Sequence, residues 1–324
     1  MFLPRRTDAS LPWKNSGWMP NTTDFVSVDH LTDPASLEVR RLLDRAALLK
    51  TPVLLTGETG TGKDVWAEYL HTVSGGHPFL NLHCGDVPET LLESEWFGYR
   101  RGAFTGAEHD FSGKWAAAGN GTLFLNRIDL LSLGIQAKLL RIIEGRRYYS
   151  LGDVRERMVT ARFVFSADMD IEKRVREGIF RSDLFYRIST LTVPVPPLRE
   201  RPEDIRSLLL HFARRFGVEV RLTADGRRRL RDYPWPGNIR ELQNLVESAR
   251  IFGGMLTDER IEHLVHDGTT LLELACAREW SLEKLEEEYI RYLMRRYPHR
   301  TTVARILGIS RKSLYNRLKR YESS

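Results

Sequence analysis

The chain has 324 residues, room for two or three domains, and its 42% hydrophobic and 28% charged content is that of an ordinary soluble protein. No apolar run approaches the ~20 residues that span a bilayer, and the opening Met1-Phe-Leu-Pro-Arg-Arg6 lacks the apolar stretch of a secretion signal. Only two cysteines occur, Cys84 and Cys276, far apart and without ligand spacing, so a disulfide framework or zinc site is disfavoured and a cytoplasmic protein without membrane contact is expected.

In chain order, residues 1–24 are polar, carry Pro4, Pro12 and Pro20, and read as a tail with no room for a receiver or sensor domain. Residues 25–195 alternate apolar strands with amphipathic helices. Pro52 to Thr56 is a short buried strand, a glycine loop follows, and a helix runs from Lys63 to about His71. Gly121 to Leu125 and Arg162 to Phe165 are further strands. Strands alternating with helices predict an α/β fold with a parallel sheet covered on both faces.

After Pro194-Val-Pro-Pro197 the character changes: residues 196–254 are helical and Arg-rich, broken by Tyr233-Pro-Trp-Pro-Gly-Asn238, and fit a small helical lid. Residues 255–280 read as a linker, in which His263 and His266 share a helix face as a solvated pair rather than a metal site. Ser281 opens an all-α domain over 281–324. It caps a helix reaching Tyr297, with Leu282, Leu285, Tyr289, Leu293 and Tyr297 along one face. The helix's acids lie early and its arginines late, as its dipole prefers.

Two motifs in the α/β region carry chemistry. Gly57-Glu-Thr-Gly-Thr-Gly-Lys63 between strand and helix is a phosphate-binding loop: backbone N–H groups and a helix N-terminus surround an anion, and Lys63 reaches the terminal phosphates. Asp64 stands where most such loops have Ser or Thr. About forty residues on, Gly102-Ala-Phe-Thr-Gly-Ala107 places one aromatic and one hydroxyl among small residues, useless as a core segment and suited to a surface loop tip.

Near the end of the chain, residues 301–319 follow a helix-turn-helix pattern. Val303, Ala304 and Leu307 face inward, Gly308 supplies the turn, Ile309 plugs the angle, Ser310 caps the second helix, and Leu314 and Leu318 pack back. Thr302, Ser310, Arg311, Lys312, Ser313, Tyr315, Asn316 and Lys319 are left for phosphates and base edges. From Tyr289 to Arg320 the chain has ten lysines and arginines and no acid, the charge footprint of a nucleic-acid binder rather than of a helical adaptor.

Together these strings resemble the bacterial enhancer-binding proteins, the sigma-54-dependent transcription activators, of the receiver-less type. The resemblance runs from about Val53 to Val246 and resumes in the C-terminal helices. It implies an AAA+ parallel-sheet core with a helical lid, a Fis-type helix-turn-helix domain, ATP and Mg2+ as cofactors, and a hexameric ring. It also implies that Gly102, Ala103, Phe104, Thr105, Gly106 and Ala107 touch sigma-54 and its RNA polymerase, and that the C-terminal domain binds enhancer DNA. Gly57, Glu58, Thr59, Gly60, Thr61, Gly62, Lys63 and Asp64 would hold nucleotide, with Arg240 as the lid arginine that senses it. Arg181 and Arg187, in Phe180-Arg-Ser-Asp-Leu-Phe-Tyr-Arg187, match the pair that reaches a neighbour's terminal phosphate.

The active centre departs from the family pattern. The strand at 121–125 should end in Asp-Glu, the Walker B pair, and ends in Asn126-Arg127. Asn lacks the charge a hard cation prefers, so the Mg2+ site is weakened, and Arg accepts no proton. Losing a positioned base costs about 10²–10⁴ in rate, ~3–5 kcal/mol of barrier. His83 replaces the family's Asn, and Ala167-Asp168 replace Thr-Asn. Asp129 lies close by, but two or more residues past the strand end its carboxylate is expected to point elsewhere.

The expectation is a regulator that binds ATP, hydrolyses it poorly or not at all, and lends Arg181 and Arg187 to a competent relative in a mixed ring. Two alternatives stay open: a nucleotide-binding antagonist, and a self-sufficient ATPase rebuilt from His83, Asp129 or Asp168.

Overall fold

The computed structural model describes residue 28 and residues 31–85, 88–251, 253–261, 280–297 and 300–322. The expected tail at 1–24, most of the 255–280 linker, and His263 and His266 lie outside the described residues. The chain divides into two compact units: residues 1–220 with 234–255, and residues 221–233 with 256–324.

The first unit is built on a five-stranded parallel sheet. The strands are β1 (Val53–Thr56), β2 (Phe79–His83), β3 (Thr122–Asn126), β6 (Arg162–Ala167) and β7 (Leu191–Pro194), in the order β2-β3-β6-β1-β7. Buried on both faces, central strands read as unbroken apolar runs; Val53, Leu54 and Leu55 of β1 and Phe163, Val164 and Phe165 of β6 are fully buried.

The helices α1 (Pro34–Ala47), α2 (Lys63–Ser74), α3 (Glu89–Phe97), α4 (Gly113–Ala118), α5 (Leu133–Gly145), α6 (Ile171–Arg176) and α7 (Ser182–Ile188) alternate with the strands as expected, and α9 (Ala224–Asp232) follows in the second unit. The helix α2 runs three residues beyond the expected end at His71 and stops at Gly75, which takes the left-handed conformation at φ 71°. Strand β3 extends one residue further than its apolar run, so Asn126 belongs to the sheet, paired with His83 of β2.

A small antiparallel pair, β4 (Arg147–Tyr149) with β5 (Glu156–Met158), stands apart from the main sheet. The long helices α8 (Pro202–Phe216) and α10 (Asn238–Ile251) belong to the first unit too. The amphipathic α8 buries Ile205, Leu208, Leu209 and Phe212, and it ends on Gly217 in the left-handed conformation.

In the second unit the last three described helices, Leu282–Arg296, Arg300–Ile306 and Arg311–Glu322, enclose a small core of Ile290, Leu293, Val303, Ala304 and Leu314. The inward residues of the helix pair are those the sequence designates. On the preceding helix the expected face needs correction: Leu282 is 85% exposed and Tyr289 is 40% exposed, while Ile290 and Leu293 are buried. The apolar stripe packed on the pair is set by Ile290, Leu293 and Tyr297, while Glu286 nearer the start of the helix accepts from the Tyr321 hydroxyl at 3.1 Å and pairs with Arg317. Among the described residues no helix is long and apolar enough to cross a membrane.

Strand β1, interior to the sheet between β6 and β7, is fully buried at Val53, Leu54 and Leu55. Leu54→Ala leaves a cavity between packed layers and should cost about 2–5 kcal/mol, read as a lowered urea midpoint with an unchanged slope.

Candidate functional site

The phosphate-binding loop lies between β1 and α2, and its shape needs its glycines. Gly60 sits at φ 82°, and a Cβ there would meet the carbonyl oxygen of Gly237 at 2.4 Å. Gly62 precedes α2 at φ 89° with no side-chain cap, so the helix offers its first N–H groups to an anion. The Lys63 ammonium donates to the carbonyl oxygens of Gly57 at 2.6 Å and Glu58 at 2.9 Å. Burial pushes its pKa below the ordinary lysine range, and the charges of Asp168 and Asp129 work against that shift. Thr61 is fully buried, its hydroxyl donating to Glu58 O at 2.9 Å.

Helix α10 is tied directly to this loop. The Asn238 amide donates to Thr59 O and to Glu58 Oε2, both at 3.1 Å, and accepts from the Leu198 N–H at 2.8 Å. The Ile239 N–H reaches Gly60 O at 2.9 Å. Arg199 closes a two-pronged bond on the Glu58 carboxylate at 3.0 and 2.6 Å, and that guanidinium holds the Glu58 pKa below the usual carboxylate range. Arg201, fully buried, donates to Thr61 O at 2.6 Å. Burial lowers its pKa to about 10, while Asp204 and Asp33 oppose the fall.

Beside the loop lies a cavity of about 270 Å³ lined by Leu31, Gly60, Thr61, Gly62, Asp64, Val65, Trp66, Arg201, Leu208, Phe212, Arg215, Ile239, Arg240 and Gln243. Apolar walls with a few polar groups suit a flat heterocycle. Arg201 Nε and Nη1 are buried there without a hydrogen-bond partner. An anion cradle, a parked lysine and unanswered donors beside a cavity fit a nucleoside phosphate. Arg240 and Asp64 are thus placed with the loop, as expected. The contributions of Arg199, Arg201 and Asn238 were not among the sequence candidates, though Asn238 ends the Pro-Gly-Asn string.

The C-terminal end of the sheet brings together His83, Asn126, Arg127 and Asp168 from β2, β3 and the residue following β6. His83 is exposed. Asn126 Oδ1 accepts from the Ser166 hydroxyl at 2.6 Å, and Ser166 Oγ accepts from the Arg127 N–H at 3.0 Å. Arg127 adopts the left-handed conformation, φ 62° and ψ 54°. That turn sets the place of Asp129. The chain curls into a short 3₁₀ segment, Ile128–Leu130, and Asp129 falls back inside, 1% exposed, with Oδ2 at 3.6 Å from Arg127 Nη2. Asp168 Oδ1 accepts the Met169 N–H at 2.7 Å, and the Asp168 charge acts on Lys63. Burial raises the Cys84 thiol pKa, with Asp129 adding to the rise, so Cys84 is no nucleophile.

These residues do not fit a hard divalent cation. The Asn126 amide oxygen is neutral and already engaged, and the position beside it carries a guanidinium paired to the nearby buried carboxylate.

Arg181 immediately precedes α7 and Arg187 lies in its last turn; both are exposed, away from the cavity lining. The Arg181 guanidinium is bound by Asp183 at 3.0 and 2.6 Å.

The Gly102–Ala107 loop closes on itself: the Gly102 N–H reaches Ala107 O at 2.9 Å, and the Ala107 N–H reaches Phe104 O at 3.0 Å. Gly102 and Gly106 take φ 82° and 100°, and Phe104 is 45% exposed, edge-on to Tyr99. Arg100 anchors the base through Asp110 and Asp153.

In the second unit Arg311, Lys312, Tyr315 and Asn316 are exposed on the last helix, with Ser313 and Thr302 half-buried. Ser310 Oγ caps that helix, accepting the Ser313 N–H at 3.1 Å. The Lys319 side chain lies outside the described residues.

Three family models match: "Sigma-54 interaction domain" over residues 30–194, "AAA+ ATPase lid domain" over 199–267, and "Bacterial regulatory protein, Fis family" over 281–321. The chain belongs to the sigma-54-dependent transcriptional regulators. The transcriptional regulatory protein FlbD of Caulobacter vibrioides is 34% identical over the whole of this chain and 76% of its own length. The sigma-54-dependent transcriptional activator SfnR of Pseudomonas putida is 36% identical over 88% of this chain and 86% of its own. The putative uric acid regulator UacR of Escherichia coli is 39% identical over 88% of this chain, which spans only 52% of it. Crystal structures of NtrX from Brucella abortus, in complex with ADP and with ATP, superpose with a TM-score of 0.66 at 26% identity. They cover 89% and 91% of this chain, and 68% of NtrX. The fold is thus the AAA+ parallel-sheet core, its lid and a Fis-type helix-turn-helix.

Asn238→Ala removes three hydrogen bonds at a residue held at φ 53°. It should lower stability by about 2–4 kcal/mol in urea unfolding, and Asn238→Asp, which keeps the shape but turns a buried carboxylate on that of Glu58 in place of the amide donor, should cost at least as much.

Proposed function

We propose that this regulator binds ATP and enhancer DNA and engages sigma-54 polymerase through Gly102–Ala107, but hydrolyses little ATP itself. It works in a ring with a competent relative. The observation that carries this reading is the end of β3, where Asn126 and Arg127 replace an acidic pair and are held in place by Ser166. Water attacking a triphosphate needs an acceptor for its proton. Arg127 accepts none, and Asp129 is ion-paired and buried rather than facing an entering water. Nucleotide binding is supported by the loop, by Lys63 and by the cavity, and by the ATP and ADP complexes of NtrX.

Arg181 and Arg187 keep the exposure that service to a neighbouring subunit requires. Phe104 keeps the exposure that contact with another protein requires. The hydroxyl and cationic groups of the last helix suit a major-groove reader.

Steady-state turnover of the purified chain should be near background, and Asn126→Asp with Arg127→Glu should raise it by about 10² or more. Turnover of the unaltered chain equal to that of a relative with the acidic pair would refute the proposal. Arg311→Ala should weaken binding to the cognate site by about 1–3 kcal/mol at fixed salt, measured by fluorescence anisotropy.

A further inference from the structure

Asp129 is buried and neither of its carboxylate oxygens accepts a hydrogen bond. A carboxylate in that condition is costly unless a charge answers it. Arg127 answers it from 3.6 Å, and the Arg127 side chain remains 36% exposed. A guanidinium offers five N–H donors in a rigid fork, so facing one carboxylate leaves donors for a second anion. Its backbone does not wander: the left-handed turn and the N–H bond to Ser166 Oγ hold the position from which it projects. Arg127 also lies within electrostatic reach of Lys63, whose ammonium rests on the phosphate-binding loop. Arg127 thus puts a permanent cation where an acidic pair would invite a metal, and it repels a second positive charge, while the charges of Asp168 and Asp129 act on Lys63.

We propose that Arg127 replaces the divalent cation, so that this chain binds a nucleoside triphosphate without metal, the guanidinium answering Asp129 on one side and the phosphates on the other. This rests on the nucleotide-binding reading above and adds to it the form of the ligand, free ATP rather than its magnesium complex. Arg–phosphate pairs are well suited to the task because the fork is planar, bidentate and always charged. A subunit built this way holds nucleotide, and so its share of a ring, across changes in free magnesium that would empty a metal-dependent site.

Calorimetric titration of the full chain with ATP, once in excess Mg2+ and once in excess EDTA, tests this directly. The two dissociation constants should agree within about twofold. Arg127→Gln should weaken binding in EDTA by about tenfold or more, and Asn126→Asp with Arg127→Glu should make binding depend on Mg2+. ATP binding by the unaltered chain only in Mg2+ would overturn the metal-free site while leaving nucleotide binding intact. Binding in neither buffer would overturn both. Equal EDTA affinity for Arg127→Gln and the unaltered chain would show that Arg127–Asp129 is only a structural ion pair, and the proposal would fall.

Discussion

One hydroxyl, that of Ser166, bridges the amide oxygen of Asn126 and the backbone N–H of Arg127, and so fixes which charges meet at the mouth of the sheet. Because β3 and β6 are neighbours in a buried parallel sheet, that bridge is as rigid as the core beneath it. Arg127 has no freedom to turn its backbone away, and Asp129 is folded under it instead of lying along an extended chain. The character of this end of the sheet follows: a guanidinium stands where an acidic pair would, and the nearest buried carboxylate is turned to it.

The remainder of the nucleotide site is intact because it depends on different contacts. Through Glu58, Arg199 and Asn238 lock the phosphate-binding loop to the turn before α8 and to the start of α10. Gly60 admits the Gly237 carbonyl at a distance no other residue would allow. A loop held in this way is pre-organised for phosphate, and losing the Asp-Glu pair does not disturb it. The contacts that shape the loop are thus separate from those at the end of β3, where the chain carries Asn126 and Arg127.

Much of this was legible in the sequence where the signal is local. The glycine loop between an apolar strand and a helix, the 102–107 string and the Gly308 turn are all short motifs whose spacing dictates their geometry. The corrections arise where tertiary contacts decide. The burial of Asp129 is not legible, because nothing in an Asn-Arg-Ile-Asp string announces a left-handed residue followed by a 3₁₀ turn. The stripe on the helix Leu282–Arg296 was misjudged because helical spacing allows more than one apolar face, and only packing against Val303 and Leu314 selects Ile290 and Leu293. The clasp between Glu58 and Arg199 joins residues 141 positions apart, which a single sequence cannot pair.

The central claim, that this subunit serves a neighbour's hydrolysis and not its own, is tested most directly by complementation. A hydrolysis-competent relative stripped of the two arginines matching Arg181 and Arg187 is mixed with this chain, and ATP turnover is measured for each protein alone and for the mixture. The account expects both proteins to be silent alone and the mixture to turn over, with activity lost when Arg181→Ala and Arg187→Ala are made here. Turnover by this chain alone, with no gain on mixing, would contradict it.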